Sequence, residues 1–428
     1  MSGTRVVVIG AGLAGLTAAV RLGGQGLRPT VVTRGLGGLP LSPGTIDVLG
    51  YAPEAVDLIE TGMAAFLERD PAHPYAQIGL DATAAGIESL REAVAPIEII
   101  GDGARNMLLP SMLGGARPTA YAPASLAAGA LRDGLRVLFV GMQALRESPA
   151  ALAAATLPVA AAAAGLRDVT ARSIDVTTSP RPDEPDVNPV TMARALDDPT
   201  LLTRLAAEVR PHVLDVDVVA FPAVLGMQRH AEVLADLRSN LGAPVCEVAS
   251  VPPSVPGIRL DALLRDRLVA LGGRVTLGAA AVGLERRGTR VTAVDLDRGD
   301  RVVSMPADAV VIATGGFASG GIVLDSHGGL TEAVADLPLA GDPGPERRFG
   351  ERASDDHPGL AVGVTVDAGM HPLNPDGSVW ADNLYAAGDI IGGAVPWRQL
   401  CGEGICLGSA AVAADTLVRE LAATVREV

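Results

Sequence analysis

"RVVVIGAGLAGLTAAV", residues 5–20, is the stretch on which the fold turns. Val6 to Ile9 is a continuous β-branched run, the pattern of a parallel strand buried on both faces. Gly10, Gly12 and Gly15 follow at G-x-G-x-x-G spacing, and from Leu13 onward the apolar residues recur at helical spacing. Strand, glycine turn and helix in that order predict a nucleotide-binding unit. Gly10 permits the tight turn, Gly12 lets the backbone approach a pyrophosphate, and Gly15 lets the helix pack on the strand. Free N–H groups at the helix start, around Leu13 and Ala14, then meet the phosphate charge.

The next strand, "PTVVT" (29–33), ends in "VVTRG". An acidic residue normally stands at this point and holds an adenosine ribose. Here Thr33 and Arg34 stand there instead, which leaves the kind of nucleotide open.

Composition removes several classes of function. Aromatic residues are 3% of 428, too few for a surface on which single-stranded nucleic acid stacks. The net charge of −15 argues against binding a phosphate backbone or an anionic membrane unaided. The chain has no lysine, which excludes Schiff-base chemistry and a Walker A loop. Cys246, Cys401 and Cys406 cannot build a disulfide framework or a four-thiolate cluster, so a reducing cytoplasm is the expected compartment. The most lipid-like run, 151–165, is short and carries Pro158, and no transmembrane span is expected. The six histidines show no metal-ligand spacing, so no metal site is expected.

The chain reads as α/β throughout. "RVLFVG" (136–141) and "DVVAF" (217–221) are candidate strands, and 190–209 and 227–241 read as amphipathic helices. After a helix at 258–271, two alternating strands flank an Arg-Arg-Gly turn, and "DAVVIATGG" (308–316) is another buried strand. The predicted architecture is a Rossmann-like FAD/NAD(P)-binding flavoprotein fold with an inserted second α/β domain. Residues 1–72, 250–328 and 355–428 form the discontinuous flavin-binding domain, 73–249 the insert, and 317–356 a long loop rich in glycine, proline and charge.

Three further motifs carry chemistry. "VVIATGG" ends a strand at Thr314 and Gly315, where such folds bring backbone close to a cofactor. In "NLYAAGDIIGG", Gly388 gives clearance and the Asp389 carboxylate accepts from hydroxyl donors such as those of a ribityl chain. In "QLCGEGICLGSAA", Gly402 and Gly404, with Glu403 between them, open the last helix, whose N-terminal dipole favours negative charge on a reduced flavin ring.

Taken in order, these motifs resemble flavoproteins of the glutathione-reductase-like class, as in fumarate reductase and succinate dehydrogenase. "VVTRGLGGLPLSPGTIDVL", "AHPY", "PPSVPGIRL", "ATGGFASGGIV" and "GDIIGG…QLCGEGIC" narrow the resemblance to the family of B subunits of anaerobic glycerol-3-phosphate dehydrogenase, and it runs through nearly the whole chain. The resemblance implies a flavin, FMN rather than FAD. It also implies a catalytic A subunit, an iron–sulfur C subunit, sn-glycerol 3-phosphate and a membrane quinone at the level of the complex, and peripheral attachment to the cytoplasmic membrane through those partners. FMN has no adenosine ribose, which suits the missing acid, with Arg34 facing a terminal phosphate; FAD stays open, with Thr33 contacting the ribose. Ser42, Gly44 and Thr45 lie beside the flavin in folds of this class. Arg398 stands where fumarate-reductase-like enzymes carry an arginine near substrate, and His371 is the histidine nearest the presumed chemistry, so these two are the catalytic candidates. They would face substrate in the alternative reading of a self-sufficient FAD-dependent dehydrogenase or reductase, and a non-catalytic scaffold subunit is the other alternative. Asp389 and Glu403 depart from the family pattern in that they sit in motifs where its members can carry uncharged residues. Arg347 and Arg348, in the long loop, are expected to be solvated.

Overall fold

The structure, a computed structural model, describes residues 3–181 and 183–426. A five-stranded parallel sheet is built from β1 (Val6–Ile9), β2 (Thr30–Thr33), β3 (Arg274–Leu277), β4 (Ala309–Ile312) and β5 (Leu384–Ala386). Their spatial order is β3-β2-β1-β4-β5. Every residue of β1 and β4 is buried, which is why both read as unbroken apolar runs. The chain leaves β1 toward β2 and returns on the other side as β4, so the order reverses at β1. A crevice opens at the carboxyl ends of strands at such a point.

Four helices cover this sheet: α1 (Leu13–Gly24), α2 (Tyr75–Ala93), α3 (Val255–Ala270) and α4 (Gly402–Arg426). α1 packs on α3 and α4, and α4 packs on α2. Ser254 of the "PPSVPGIRL" motif caps α3, its hydroxyl accepting the Gly257 N–H at 3.2 Å. α2 lies in the stretch assigned from sequence to the insert, yet Tyr75, Ile78, Ile87 and Leu90 are buried in the same core as β1 and α4.

A second parallel sheet takes the strands Val245–Val248, Val218–Pro222, Arg136–Met142 and Thr170–Val176 in that spatial order. Its two faces carry separate cores, with Leu138 and Phe221 in one and Val137 and Phe139 in the other. Only the two inner strands are legible as buried runs. Thr170–Val176 is an edge strand with mostly exposed or half-buried side chains. The helix read at 190–209 is two helices, because Asp198 caps a new one that starts at Pro199. The alanine-rich run forms a helix, Ala150–Ala163, that continues through Pro158. Among the described residues no helix is long and apolar enough to cross a membrane.

The strands around the Arg-Arg-Gly turn are Ala280–Arg287 and Arg290–Asp297, joined by Val302–Pro306 into an antiparallel sheet. Within 317–356, Ile322–Leu324 pairs with Leu330–Glu332, so this stretch carries a short hairpin. Arg348 is not solvated. It is buried, donating to Asp342 at 2.6 Å and to the Gly328 carbonyl at 2.6 Å.

Candidate cofactor site

A cavity of about 620 Å³ occupies the crevice at the carboxyl ends of β1, β2, β4 and β5. Its floor is the glycine turn. Gly10 has φ +110°, and a side chain there would run into the Ala313 carbonyl. A side chain at Gly15 would strike the carbonyl of Gly10, so Gly15 serves the contact of α1 with the turn and does not line the cavity. A Cβ at Gly12 would meet nothing within 4 Å, and Gly12, Leu13 and Ala14 face the open space. The cradle is empty of protein where the helix N-terminus presents its free N–H groups.

One end of the cavity is formed by Gly388, Asp389, Gly402 and Glu403. Gly388 has φ +79°, donates its N–H to the Ser409 hydroxyl at 2.8 Å, and leaves no room for a side chain beside the Ala14 methyl. The Gly316 N–H donates to the Asp389 carboxylate at 3.2 Å. Burial pushes Asp389 up to about 6. Burial, with the neighbouring Asp47 charge, pushes Glu403 up to about 7. The Ser42 hydroxyl, also in the wall, donates to Glu403 at 3.4 Å. Thr314 and Gly315 line the wall between the two ends, and the buried Thr314 hydroxyl has no partner. An orphaned hydroxyl, an open glycine cradle and a carboxylate at the strand end together fit a ligand with phosphates and hydroxyls.

The other end lies past β2. Thr33 and Arg34 line it, with Ala279 and the first residues of the strand Ala280–Arg287, Ala280, Ala281 and Val282. Thr33 donates its hydroxyl proton to the Gly35 carbonyl at 2.7 Å, which leaves its oxygen free to accept. Arg34 is exposed and has no ion-pair partner among the described residues.

Gly44, Thr45 and Gly404 do not line this cavity. Gly44 has φ +85° and abuts Pro256. Thr45 is buried, its hydroxyl accepting from Arg117 at 2.6 Å. Gly404 lies against the Tyr75 hydroxyl, and its N–H donates to the Asp47 carbonyl at 2.9 Å. These residues shape the wall from behind.

The two catalytic candidates are also elsewhere. The Arg398 guanidinium bonds Asp356 at 2.5 Å and the carbonyls of Ser354 and Asp355 at 2.7 Å. His371 sits between Asp367 at 3.1 Å and Glu420 at 3.3 Å, against the Tyr385 ring. Neither lines the cavity. What sequence reasoning missed is the pair behind Glu403. The fully buried Asp47 carboxylate is held by Arg117 and accepts from Thr119 at 2.6 Å. Nothing in the local sequence of any of the three marks that meeting.

A glycine turn and an acidic strand end sharing one crevice of a parallel sheet define a dinucleotide-type flavoprotein, and a family model described as FAD binding domain matches residues 5–405. Over 431 residues the chain is 31% identical to a Yersinia pestis protein named as the B subunit of anaerobic glycerol-3-phosphate dehydrogenase, covering 98% of this chain and 99% of that one. A Halobacterium salinarum protein, named as a probable B subunit of the same kind, is 32% identical over 411 residues, covering 95% and 96%. A B subunit from Pectobacterium atrosepticum is 30% identical over 426 residues, covering 97% and 98%. The chain belongs to the family of B subunits of anaerobic glycerol-3-phosphate dehydrogenase, within the FAD binding domain class.

Proposed function

We propose that this chain is the flavin-holding B subunit of a glycerol-3-phosphate dehydrogenase complex. The observation that carries the reading is the one cavity shared by Gly12 and Asp389, in a chain alike over 95–98% of its length to proteins named for that activity. The overall reaction takes a hydride from the secondary carbinol carbon of sn-glycerol 3-phosphate and gives dihydroxyacetone phosphate, with the electrons passing to a quinone. A flavin supplies the two-electron to one-electron conversion that such a route needs.

FAD is the cofactor this geometry favours, against the FMN implied by the resemblance. The cavity does not stop at the glycine turn but continues past β2 to Thr33, Arg34 and residues 279–282, space that a second nucleoside would fill. The ring end would lie by Glu403 and Gly402, the ribityl chain by Asp389, the pyrophosphate over Gly12, and the adenosine by Thr33. Arg34 would meet the adenosine end of the cofactor, not a terminal phosphate.

Among the described residues the cavity wall holds no arginine pair for a phosphate-bearing substrate; Arg34 is the one arginine lining it there, and it is at the far end. This supports placing hydride abstraction in a partner A subunit, with an iron–sulfur C subunit leading to the membrane quinone and this chain attached at the cytoplasmic face through them. The packing of α2 in the first core supports a flavin unit that also includes the residues around 75–121, with the insert confined to the second sheet. The test is dye reduction by glycerol 3-phosphate with the chain alone and with its partners. Activity only in the complex is expected, and full turnover by the isolated chain would overturn the assignment of roles.

A further inference from the structure

Charge does not balance at the ring end of the cavity. Three carboxylates lie there, Asp389 and Glu403 in the wall and Asp47 directly behind, and a single guanidinium, Arg117, stands among them. The other groups facing Glu403 are the Ser42 hydroxyl, Tyr75, Cys401 and Cys406. Burial pushes Tyr75 and both thiols up, so they stay neutral and supply no countercharge. Arg34 lines the opposite end.

One cation compensates one buried carboxylate, and a second in the same place holds its proton to higher pH than a solvated acid does. The hydrogen bonds decide which is which. Asp47 accepts from Arg117 and from the Thr119 hydroxyl, bonds that favour its ionised form. Among side-chain donors Glu403 has the long contact to Ser42 at 3.4 Å, beside weaker help from the backbone N–H groups of Asp47 and of Glu403 itself. Burial raises both acids; Arg117 and backbone N–H groups offset part of it at Glu403, but the short side-chain donors go to Asp47.

We propose that Glu403 is the proton-exchanging group of the cofactor cavity, a carboxylic acid whose neutral form is favoured by burial and by the Asp47 charge behind it, and which, where it is ionised in the empty cavity, takes up one proton when negative charge enters. The proton comes from solvent and resides on the Glu403 carboxyl; no bond in the cofactor is made or broken. The inference rests on the cavity accepting FAD, whose pyrophosphate brings that negative charge while remaining fully ionised itself. It makes Glu403 a positioning residue for charge, one that keeps the cavity from becoming too anionic to hold a reduced cofactor.

The experiment titrates FAD into the flavin-free full chain by calorimetry, in buffers of different ionisation enthalpy at about pH 6 and about pH 8. The slope against buffer enthalpy counts protons taken up per FAD bound, whatever the affinity. About one proton per FAD is expected at pH 8, where Glu403 is ionised in the empty cavity. Glu403→Gln is expected to lose that uptake, Asp389→Asn to keep it, and Asp47→Asn to move it to lower pH by removing the like charge. A wild-type slope of zero at pH 8, or an unchanged slope in Glu403→Gln, overturns the inference while the binding isotherm shows FAD still seated. Absence of binding in the wild type overturns the cofactor reading and this inference with it. Where Glu403→Gln fails to fold or bind, the wild-type infrared band of a protonated carboxyl, appearing with FAD at pH 8 and shifting as Asp47→Asn shifts the titration, decides the matter; no such band overturns it.

Discussion

Asp389, at the end of β5, accepts the backbone N–H of Gly316, just past β4, at 3.2 Å, and this bond ties two adjacent strand ends together at the edge of the cofactor cavity. The other carboxylate oxygen is left to accept from a hydroxyl ligand, so Asp389 could serve the protein backbone and a cofactor at once. Asp389→Ala removes both acceptors. A loss of flavin affinity of roughly 10- to 100-fold is expected, the scale of one or two hydrogen bonds to a charged group. Quenching of flavin fluorescence on binding measures it, and Asp389→Asn, which retains one acceptor, should recover part of the loss.

The glycines of the turn should separate folding from binding. Gly10→Ala places a methyl against the Ala313 carbonyl at a positive φ, and destabilisation of about 2 kcal/mol or more is expected. Gly12→Ala meets no protein atom, so stability should change by less than about 0.5 kcal/mol. Its methyl stands where the pyrophosphate would lie, and flavin affinity should fall at least about tenfold, or about 1.4 kcal/mol. Urea melts and flavin titrations of the two variants check the contrast.

The pH dependence of the flavin-free protein follows from Asp389 and Glu403. Their ordinary values of 3.8 and 4.5 rise to about 6 and about 7 on folding. The folded state therefore binds protons more tightly than the unfolded chain between about pH 4 and pH 7, and these groups make stability fall as pH rises through that window. Glu403→Gln should be more stable than wild type at about pH 8 and equal to it near pH 4, which thermal melts at the two pH values resolve.

A second buried cluster works in the opposite direction. Glu247, fully buried in the strand Val245–Val248 of the second sheet, accepts from Arg259 at 2.9 and 3.0 Å, from the Leu225 N–H at 2.8 Å and from the Ser125 hydroxyl at 2.9 Å. Burial alone would raise it, but the Arg259 charge and these donors outweigh burial and hold it at about 2. Its contribution is complete above about pH 4.5 and is lost as pH falls toward about 2. Arg259→Leu leaves the carboxylate unpaired, with an expected cost of about 3–5 kcal/mol. The double variant Arg259→Leu with Glu247→Leu should recover much of that loss in the same urea experiment.

Much of the cofactor cradle was legible because it is local. Gly10, Gly12 and Gly15 act within one turn, and a glycine–acid pair at the end of an apolar strand carries its own meaning at Gly388–Asp389. The errors come from contacts that no local pattern encodes. Gly44, Thr45 and Gly404 sit in the right motifs, but their neighbours are Pro256, Arg117 and Tyr75, and only the fold decides which side of a loop faces the cavity. Arg398 fits a family position yet is engaged by carbonyls at 354 and 355. The acid behind Glu403 was invisible for the same reason, since Arg117 reaches Asp47 from 70 residues away. The strand Thr170–Val176 escaped because an edge strand, mostly exposed, has little apolar pattern to read.

The central claim is that the cavity over Gly12 and Asp389 seats FAD. The most direct measurement is the absorption spectrum of the purified chain, before and after incubation with FAD, followed by acid release and chromatography of what is bound. A band at about 450 nm with about one FAD recovered per chain is expected. A protein that stays colourless after incubation with FAD, or that returns only FMN, contradicts the account.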